Sequence, residues 1–305
     1  MFKRLIAATD LSPASFAVVS CLGGLKAYGA EQCLLLQCLT FSDAVSTALS
    51  YHTEPLEEML SEQKKILEQQ GFTVEARTVV GVPRQEIVRL ADKEDYDLIV
   101  VGAQGQSLVE EKLLGGVAYG VADKTRTPVL VVPVEKRPGA DNGCEPLARC
   151  RFTDHVLFAT DFSEMADSAF THVEQLVAHG ARKVTLVHVQ DKTRLERHLL
   201  ERLEEFNEID RGRLENMRQT LLKKGSPQID TELCYGVPFE EITRLIRERN
   251  TQLAVMGTQG RGFVGRFFLG SVSHNVIRHS VAPVLLIPAP RQGQQRGPGS
   301  AKVSD

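Results

Sequence analysis

A chain of 305 residues is too long for one typical domain and suits two of about 150 residues, each large enough to bury its own core. Hydrophobic residues at 42% and charged residues at 25% are ordinary globular values, and Lys+Arg 36 against Asp+Glu 39 leave a formal charge of only -3, so no polyanion-binding surface is advertised and no nucleic-acid partner is expected. The start, MFKRLIAATDL, lacks the apolar run of a signal peptide, and no stretch approaches the ~20 apolar residues of a membrane span, which excludes a membrane partner of that kind and predicts a cytoplasmic protein.

In chain order, an apolar run at the start leads into Ala7-Ala8-Thr9-Asp10-Leu11-Ser12. Further on come Gly81-Val82-Pro83, Gly102-Ala103-Gln104-Gly105 and Thr127-Pro128-Val129-Leu130. Each of these recurs, as Phe158-Ala159-Thr160-Asp161-Phe162-Ser163, Gly236-Val237-Pro238, Gly257-Thr258-Gln259-Gly260 and Ala282-Pro283-Val284-Leu285. The last three share one offset. The first has a slightly smaller one, because the second copy is a few residues longer between its first and third strands. Repetition at fixed spacing signals a duplicated structural unit. The chain therefore divides into a first domain (residues 1–134), a linker (135–152) rich in Pro, Gly and charge, a second domain (153–289), and a tail (290–305) whose Gln, Gly and Pro read as disordered.

The six cysteines, Cys21, Cys33, Cys38, Cys144, Cys150 and Cys234, form no CxxC pair, and four of them lie in apolar runs, which fits a reduced protein. Cys144 and Cys150 sit near each other in the linker, without the His or third Cys that a metal or redox site would need.

In the second copy, short apolar runs at His155–Thr160, Lys183–Val189, Ile229–Tyr235, Leu253–Gly257 and Val284–Pro288 are rich in Val, Ile and Leu and nearly continuous, the pattern of strands buried on both faces of a parallel sheet. Between them Ser163–His179, Thr193–Lys224, Pro238–Asn250 and Ser271–Ser280 carry helical spacing. In the longest, Leu199, Leu203, Phe206, Leu214, Met217 and Leu221 fall on one stripe. The alternation predicts an α/β fold with two tandem, doubly wound, parallel-sheet domains.

In such a sheet the ligand cleft opens at the carboxyl ends of the strands, where strand order reverses. Asp161 ends the first strand of the second copy and Gly257 ends the fourth, so both should border that cleft. From Gly257 the chain runs through Gly260, Arg261, Arg266 and Gly270 to a helix starting at Ser271. Glycines let backbone amides approach a phosphate, and a helix N-terminus adds N–H groups and a positive dipole end. Ser271 and Ser273 can cap that helix and donate to phosphate oxygens.

The pattern Gly-x2-Gly-x9-Gly-Ser, met by Gly257, Gly260, Gly270 and Ser271, resembles the universal stress protein family, as do Ala-Thr-Asp-Phe-Ser at the first strand and Gly-Val-Pro before the third helix. The resemblance implies five parallel strands in order 3-2-1-4-5 in each copy and, in the nucleotide-binding branch of the family, bound ATP, with or without Mg²⁺. It places Asp161 at the adenosine with Ala159 and Thr160 beside it, and Val189 and Val237 as walls of the base. Met256, Gly257 and Gly260 lie under ribose and phosphates, and Gly270, Ser271, Val272 and Ser273 hold the phosphates. The family also pairs its last strands between subunits, which implies an internal pseudo-dimer through Val129–Val132 and Val284–Ile287 and leaves a homodimer of the whole chain open.

The first copy departs from this pattern. Gly116 stands in place of the serine, and Glu110, Glu111 and Lys112 replace the positive loop of the second copy, so a triphosphate would be repelled there. For catalysis the candidates are thin. His274 reads as a solvent-facing helix residue and His188 as a packed strand residue, and there is no Walker motif, so neither catalytic nor metal-binding residues are assigned. The expected function is an ATP-binding regulator of stress response, working through an unidentified protein partner, with slow hydrolysis at most. The alternatives are a scaffold with a vestigial cleft and a weak ATPase.

Overall fold

The computed structural model describes residues 1–42, 44–45, 54–104, 114–136, 144–146, 150–191, 203–260 and 269–289. The first half runs β1 (Arg4–Thr9), α1 (Pro13–Cys21), a 3-10 segment (Leu22–Tyr28), β2 (Gln32–Leu39), α2 (Glu54–Gln69), β3 (Thr73–Val80), α3 (Pro83–Lys93), β4 (Leu98–Gly102), α4 (Gly116–Lys124) and β5 (Val129–Val132). Next come β6 (Val134–Lys136) and β7 (Cys144–Pro146). The second half repeats the plan as β8 (Val156–Thr160), α5 (Glu164–Ala178), β9 (Lys183–Asp191), α6 (Leu203–Leu222), β10 (Gln228–Gly236), α7 (Pro238–Glu248), β11 (Leu253–Gly257), α8 (Ser271–His279) and β12 (Val284–Ile287). Prolines open α1, α3 and α7, where the missing N–H costs nothing and the fixed φ suits the first turn.

All ten strands of the two halves form one sheet, in the order β10-β9-β8-β11-β12-β5-β4-β1-β2-β3. Each half is parallel within itself, with the order 3-2-1-4-5. The halves join by antiparallel pairing of β12 with β5, where Val284 faces Val131, Leu285 faces Leu130 and Leu286 faces Val129. Successive strand residues point to opposite faces. Leu5, Ala7 and Phe158 thus enter one core with α1, α5 and Leu67 of α2, while Ile6 and Leu157 enter the other with α3, α4, α7 and α8. Both cores run through both halves.

Burial on both faces holds for the inner strands of the second half and is corrected for β10, which forms the sheet's edge and is half exposed along most of its length. Its outward carboxylates are paired, Asp230 with Lys183 at 2.9 Å and Glu232 with Arg249, and charge on an edge strand discourages pairing with another chain. On the stripe of α6, Leu214 and Leu221 are buried and Met217 packs against the core. Leu199 and the tail 290–305 lie outside the described residues.

The stretch between the copies is not wholly irregular, because β6 and β7 pair antiparallel with Val134 opposite Pro146. The reduced state expected of all six cysteines is also corrected. Cys21 and Cys150 form a disulfide with Cα atoms 5.4 Å apart, and Cys33, Cys38 and Cys234 remain thiols. The same linker end is held twice more. The Tyr28 hydroxyl donates to the Phe152 carbonyl at 2.7 Å, and any Cβ at Gly24 would fall on the Cys150 carbonyl oxygen, so only glycine fits there. Among the described residues no helix is long and apolar enough to cross a membrane.

A disulfide closing so long a loop removes much unfolded-state entropy. The paired variant Cys21→Ser with Cys150→Ser is therefore expected to lose about 2–4 kcal/mol in denaturant unfolding. Stability unchanged from that of the oxidised wild type would show that the bond contributes nothing.

His155, just ahead of β8, gives a second expectation. Its Nδ1 lies 3.0 Å from the Arg249 carbonyl, which can only accept, so Nδ1 carries the proton and Nε2 accepts from the Thr185 hydroxyl at 2.8 Å. Burial is the main force holding its pKa below the usual histidine value, against the pull of the Arg249 hydrogen bond. The unfolded chain therefore takes up this proton first as pH falls through about 6.5. Stability is complete above that pH and declines below it. Melting followed from about pH 7.5 down to about pH 5.5 should show a falling Tm. His155→Asn, which keeps a donor and an acceptor but cannot titrate, should flatten the decline.

Candidate functional site

The turn after β8 is made by side chains. Phe162 adopts a left-handed backbone with φ 56°, which costs about 1 kcal/mol or more for a residue with a Cβ. Local hydrogen bonds offset this. Thr160 Oγ1 accepts the Phe162 N–H at 2.9 Å, and Asp161 Oδ1 accepts the Ser163 N–H at 3.1 Å and the Ser163 hydroxyl at 2.5 Å. Ser163 Oγ then accepts the Ala166 N–H at 3.2 Å and caps α5. The first half builds the same turn with Thr9, Asp10 and Ser12, and its left-handed residue is Leu11 at φ 59°. The recurring Thr-Asp-x-Ser is thus a device that holds an aspartate at the carboxyl end of the first strand.

The glycine loop meets that aspartate. A Cβ on Gly260 would stand 2.6 Å from Asp161 Oδ2, and one on Gly257 would crowd the Gln259 and Met165 carbonyls at 3.2 and 3.4 Å. The loop is closed by backbone bonds, Thr258 N–H to the Ile287 carbonyl at 3.0 Å and Gly270 N–H to the Thr258 carbonyl at 2.8 Å. The first half has the same frame, with Ala103 bonded to Val132 at 2.9 Å and Gly115 to Ala103 at 2.8 Å.

Two expectations at the start of α8 are corrected. The N-cap is Gly270, with no side-chain cap, so Ser271 is the first helical residue and is exposed. Nor does Ser273 cap the helix: it is buried, and its hydroxyl donates to the Gly257 carbonyl at 2.9 Å. The donors that α8 offers are therefore backbone N–H groups of Ser271, Val272 and Ser273, which precede the first intrahelical bond from His274 to Gly270 at 2.8 Å. His274 is half-buried, and its ring stands edge-on to Tyr119 of the first half with centroids 5.4 Å apart.

These elements enclose a cavity of about 750 Å³ at the carboxyl ends of β8, β9 and β11, where the strand order reverses. Ala159, Thr160 and Asp161 line it from β8 and its turn, and Val189 lines it from β9. Met256, Gly257 and Gly260 line it from β11 and its loop, and Gly270, Ser271, Val272 and Ser273 from the start of α8. Val237 is not part of the wall. It precedes α7 with an extended backbone, and its neighbour Pro238 lines the cavity instead. Arg261 and Arg266, and in the first half Glu110, Glu111 and Lys112, lie outside the described residues.

Sequence reasoning missed the opposite wall, made by His188, Gln190 and Asp191 of β9 and by Phe206, Ile209, Asp210 and Arg213 of α6. One signal was available. Asp210 is four residues from both Phe206 and Leu214, so a carboxylate interrupts the apolar stripe of α6, and it is buried. It accepts from Gln190 Nε2 at 3.0 Å. His188, also buried, has Nδ1 at 2.8 Å from the Thr160 carbonyl, so that nitrogen donates, and Nε2 faces Asp210 Oδ2 at 3.5 Å. That second contact is attractive only when His188 carries both protons. Arg213 lies over the Phe162 ring at 5.2 Å. Among the described residues no cluster of three or more His, Cys, Asp or Glu is placed to hold a metal ion.

Fold and cavity together define a tandem, doubly wound α/β protein with a ligand pocket at a topological switch point. A family model described as the universal stress protein family matches residues 1–133 and again 153–288, and the chain belongs to that family. A universal stress protein of Methanocaldococcus jannaschii is 30% identical over 151 residues, covering 43% of this chain and 93% of its own length. The crystal structure of a universal stress protein from Archaeoglobus fulgidus matches 94% of this chain and 99% of its own, with a TM-score of 0.67 and 26% identity, so the tandem arrangement has a full-length counterpart. A universal stress protein solved in complex with cAMP is 30% identical, covering 43% of this chain and 97% of its own, with a TM-score of 0.35.

The close approach at Gly260 is testable. Asp161 is short and anchored through Ser163, so Gly260→Ala should turn its carboxylate away and lose about 1 kcal/mol of stability with the broken bonds. The amide resonance of Ser163 should move while that of its counterpart Ser12 stays. A Ser163 resonance at its wild-type position would refute the contact.

Proposed function

We propose that the second half of the chain binds one adenine nucleotide, ATP, and that the protein is a nucleotide-responsive regulator of stress response acting through a protein partner. One observation carries this reading: the Asp161 turn, the α-carbon of Gly260 and the N-terminus of α8 share one cavity mouth. A helix N-terminus beside glycines suits phosphates, because its amides can approach without side chains in the way. A carboxylate held a short distance away suits the hydroxyls and amine of a nucleoside. The volume lies within the range of small-ligand sites.

In this reading Gly257, Gly260 and Gly270 and the first-turn amides of Ser271, Val272 and Ser273 hold the phosphates. Asp161, Ala159, Thr160, Val189 and Met256 surround the nucleoside, with Val237 outside the wall. Mg²⁺, where present, would be held by phosphate oxygens and water rather than by a protein ligand set. Arg261 and Arg266 supply positive charge from the loop between the glycines.

The two halves provide their own control. Asp161→Ala and Asp10→Ala remove equivalent turn bonds, but only the first touches the proposed site. Calorimetry should find about one ATP per chain in the wild type and in Asp10→Ala, and at least about tenfold weaker binding in Asp161→Ala, equivalent to about 1.4 kcal/mol. Two equal sites, or loss with Asp10→Ala alone, would assign the ligand to the wrong half. No binding and no thermal shift with ATP would favour a scaffold. Steady ADP release abolished by a cavity substitution would favour a weak ATPase.

A further inference from the structure

The exit of the glycine loop is held by the other half of the chain. The Leu269 N–H donates to Asp123 Oδ1 of α4 at 3.0 Å, across a separation of 146 positions. Leu269 is buried, lines the cavity and directly precedes Gly270, the N-cap of α8. One turn further along, the His274 ring meets Tyr119 of the same helix α4. The first half therefore touches both the loop exit and the first turn of α8.

Asp123 lies in the last turn of α4, where the negative end of the helix dipole disfavours a carboxylate. Helix stability does not explain it, but an acceptor for the Leu269 amide does. Among the described residues the arrangement has no mirror image. Asp123 and Arg278 occupy equivalent places, each the last but one residue of a helix that follows its motif glycine. An arginine side chain has five donors and no acceptor, so Arg278 cannot take the N–H of Leu114, the counterpart of Leu269. Among the described residues this tether runs only from the first half to the loop of the second.

We infer that the nucleotide site is composite, and that Asp123 of the first half is a positioning residue for it. By fixing the Leu269 amide it sets the direction of Gly270 and of the first-turn amides of α8 that face the phosphates. The contribution of the first half to the site is this acceptor rather than a second ligand. The inference rests on the nucleotide reading above for its effect on affinity, but not for the tether itself.

The test uses the full-length protein with Asp123→Ala and Asp123→Asn, the second of which keeps a side-chain oxygen that can accept. In ligand-free protein, exchange of the Leu269 and Gly270 amides should quicken about tenfold in Asp123→Ala and stay near wild type in Asp123→Asn, a factor that corresponds to about 1.4 kcal/mol. ATP affinity should fall about tenfold in Asp123→Ala and stay within about threefold of wild type in Asp123→Asn. Unchanged exchange in Asp123→Ala overturns the tether, and so does quickening that extends equally through β5 and β12. An Asp123→Asn protein as impaired as Asp123→Ala overturns the acceptor role. If the wild type binds no ATP, the nucleotide reading fails, and the exchange measurement alone decides the tether. If ATP binds equally well to all three proteins while exchange differs, the composite site is overturned although the contact stands.

Discussion

The last strand of each half, β5 and β12, is short and buried along its whole length, and each closes its side of a five-stranded sheet. Left alone, such a strand would present a row of unpaired backbone groups flanked by apolar side chains, an edge that invites association. Antiparallel pairing between the two satisfies both at once. Leu130 stands opposite Leu285, its own counterpart in the repeat, so the junction sits on a pseudo-two-fold axis. The continuity of both cores and the meeting of α4 with α8 follow from that one contact.

Duplication preserved the frame more faithfully than the chemistry mounted on it. The Thr-Asp-x-Ser turn and the backbone bonds that close the glycine loop occur in both halves at nearly equal lengths. These bonds depend on main-chain groups and a few short side chains, so they survive wide changes elsewhere. The walls of the cleft depend on larger side chains and have diverged. Gln37 pairs with Thr9 across the sheet as His188 pairs with Thr160, and its side chain accepts from Thr78 on the neighbouring strand. Where α8 begins with Ser271, α4 begins with Gly116, although an added Cβ there would meet none of the described residues within 4 Å. Among the described residues, packing does not require a glycine at that position.

The connection between the halves is anchored at its far end. The disulfide to Cys21, the Tyr28 hydroxyl and the close approach at Gly24 all act on Cys150 to Phe152, immediately before the second half begins. Phe152 is fully buried, so the linker's end is part of the core shared by α1 and α5. This adds an attachment between the halves that is separate from the β5–β12 pairing.

The sequence by itself determined what rests on local pattern. Apolar runs of strand length, helical stripes and repeated motifs revealed two copies of a doubly wound domain. They also marked Asp161, Gly257 and Gly260 for one cleft, because strand ends and strand order suffice to place them. Only the tertiary structure decided the contacts between groups remote along the chain. Cys21 reaches Cys150 through backbone geometry that spacing does not encode, and Asp123 reaches Leu269 because the sheets join at β5 and β12. The cap of α8 passed from Ser271 to Gly270 because the bond from Gly270 to Thr258 fixes where the helix can begin. Asp210 was legible only as a carboxylate interrupting an apolar stripe. That it meets His188 in the wall of a cavity depends on how α6 packs over β9, a choice made by the whole fold rather than by any local segment.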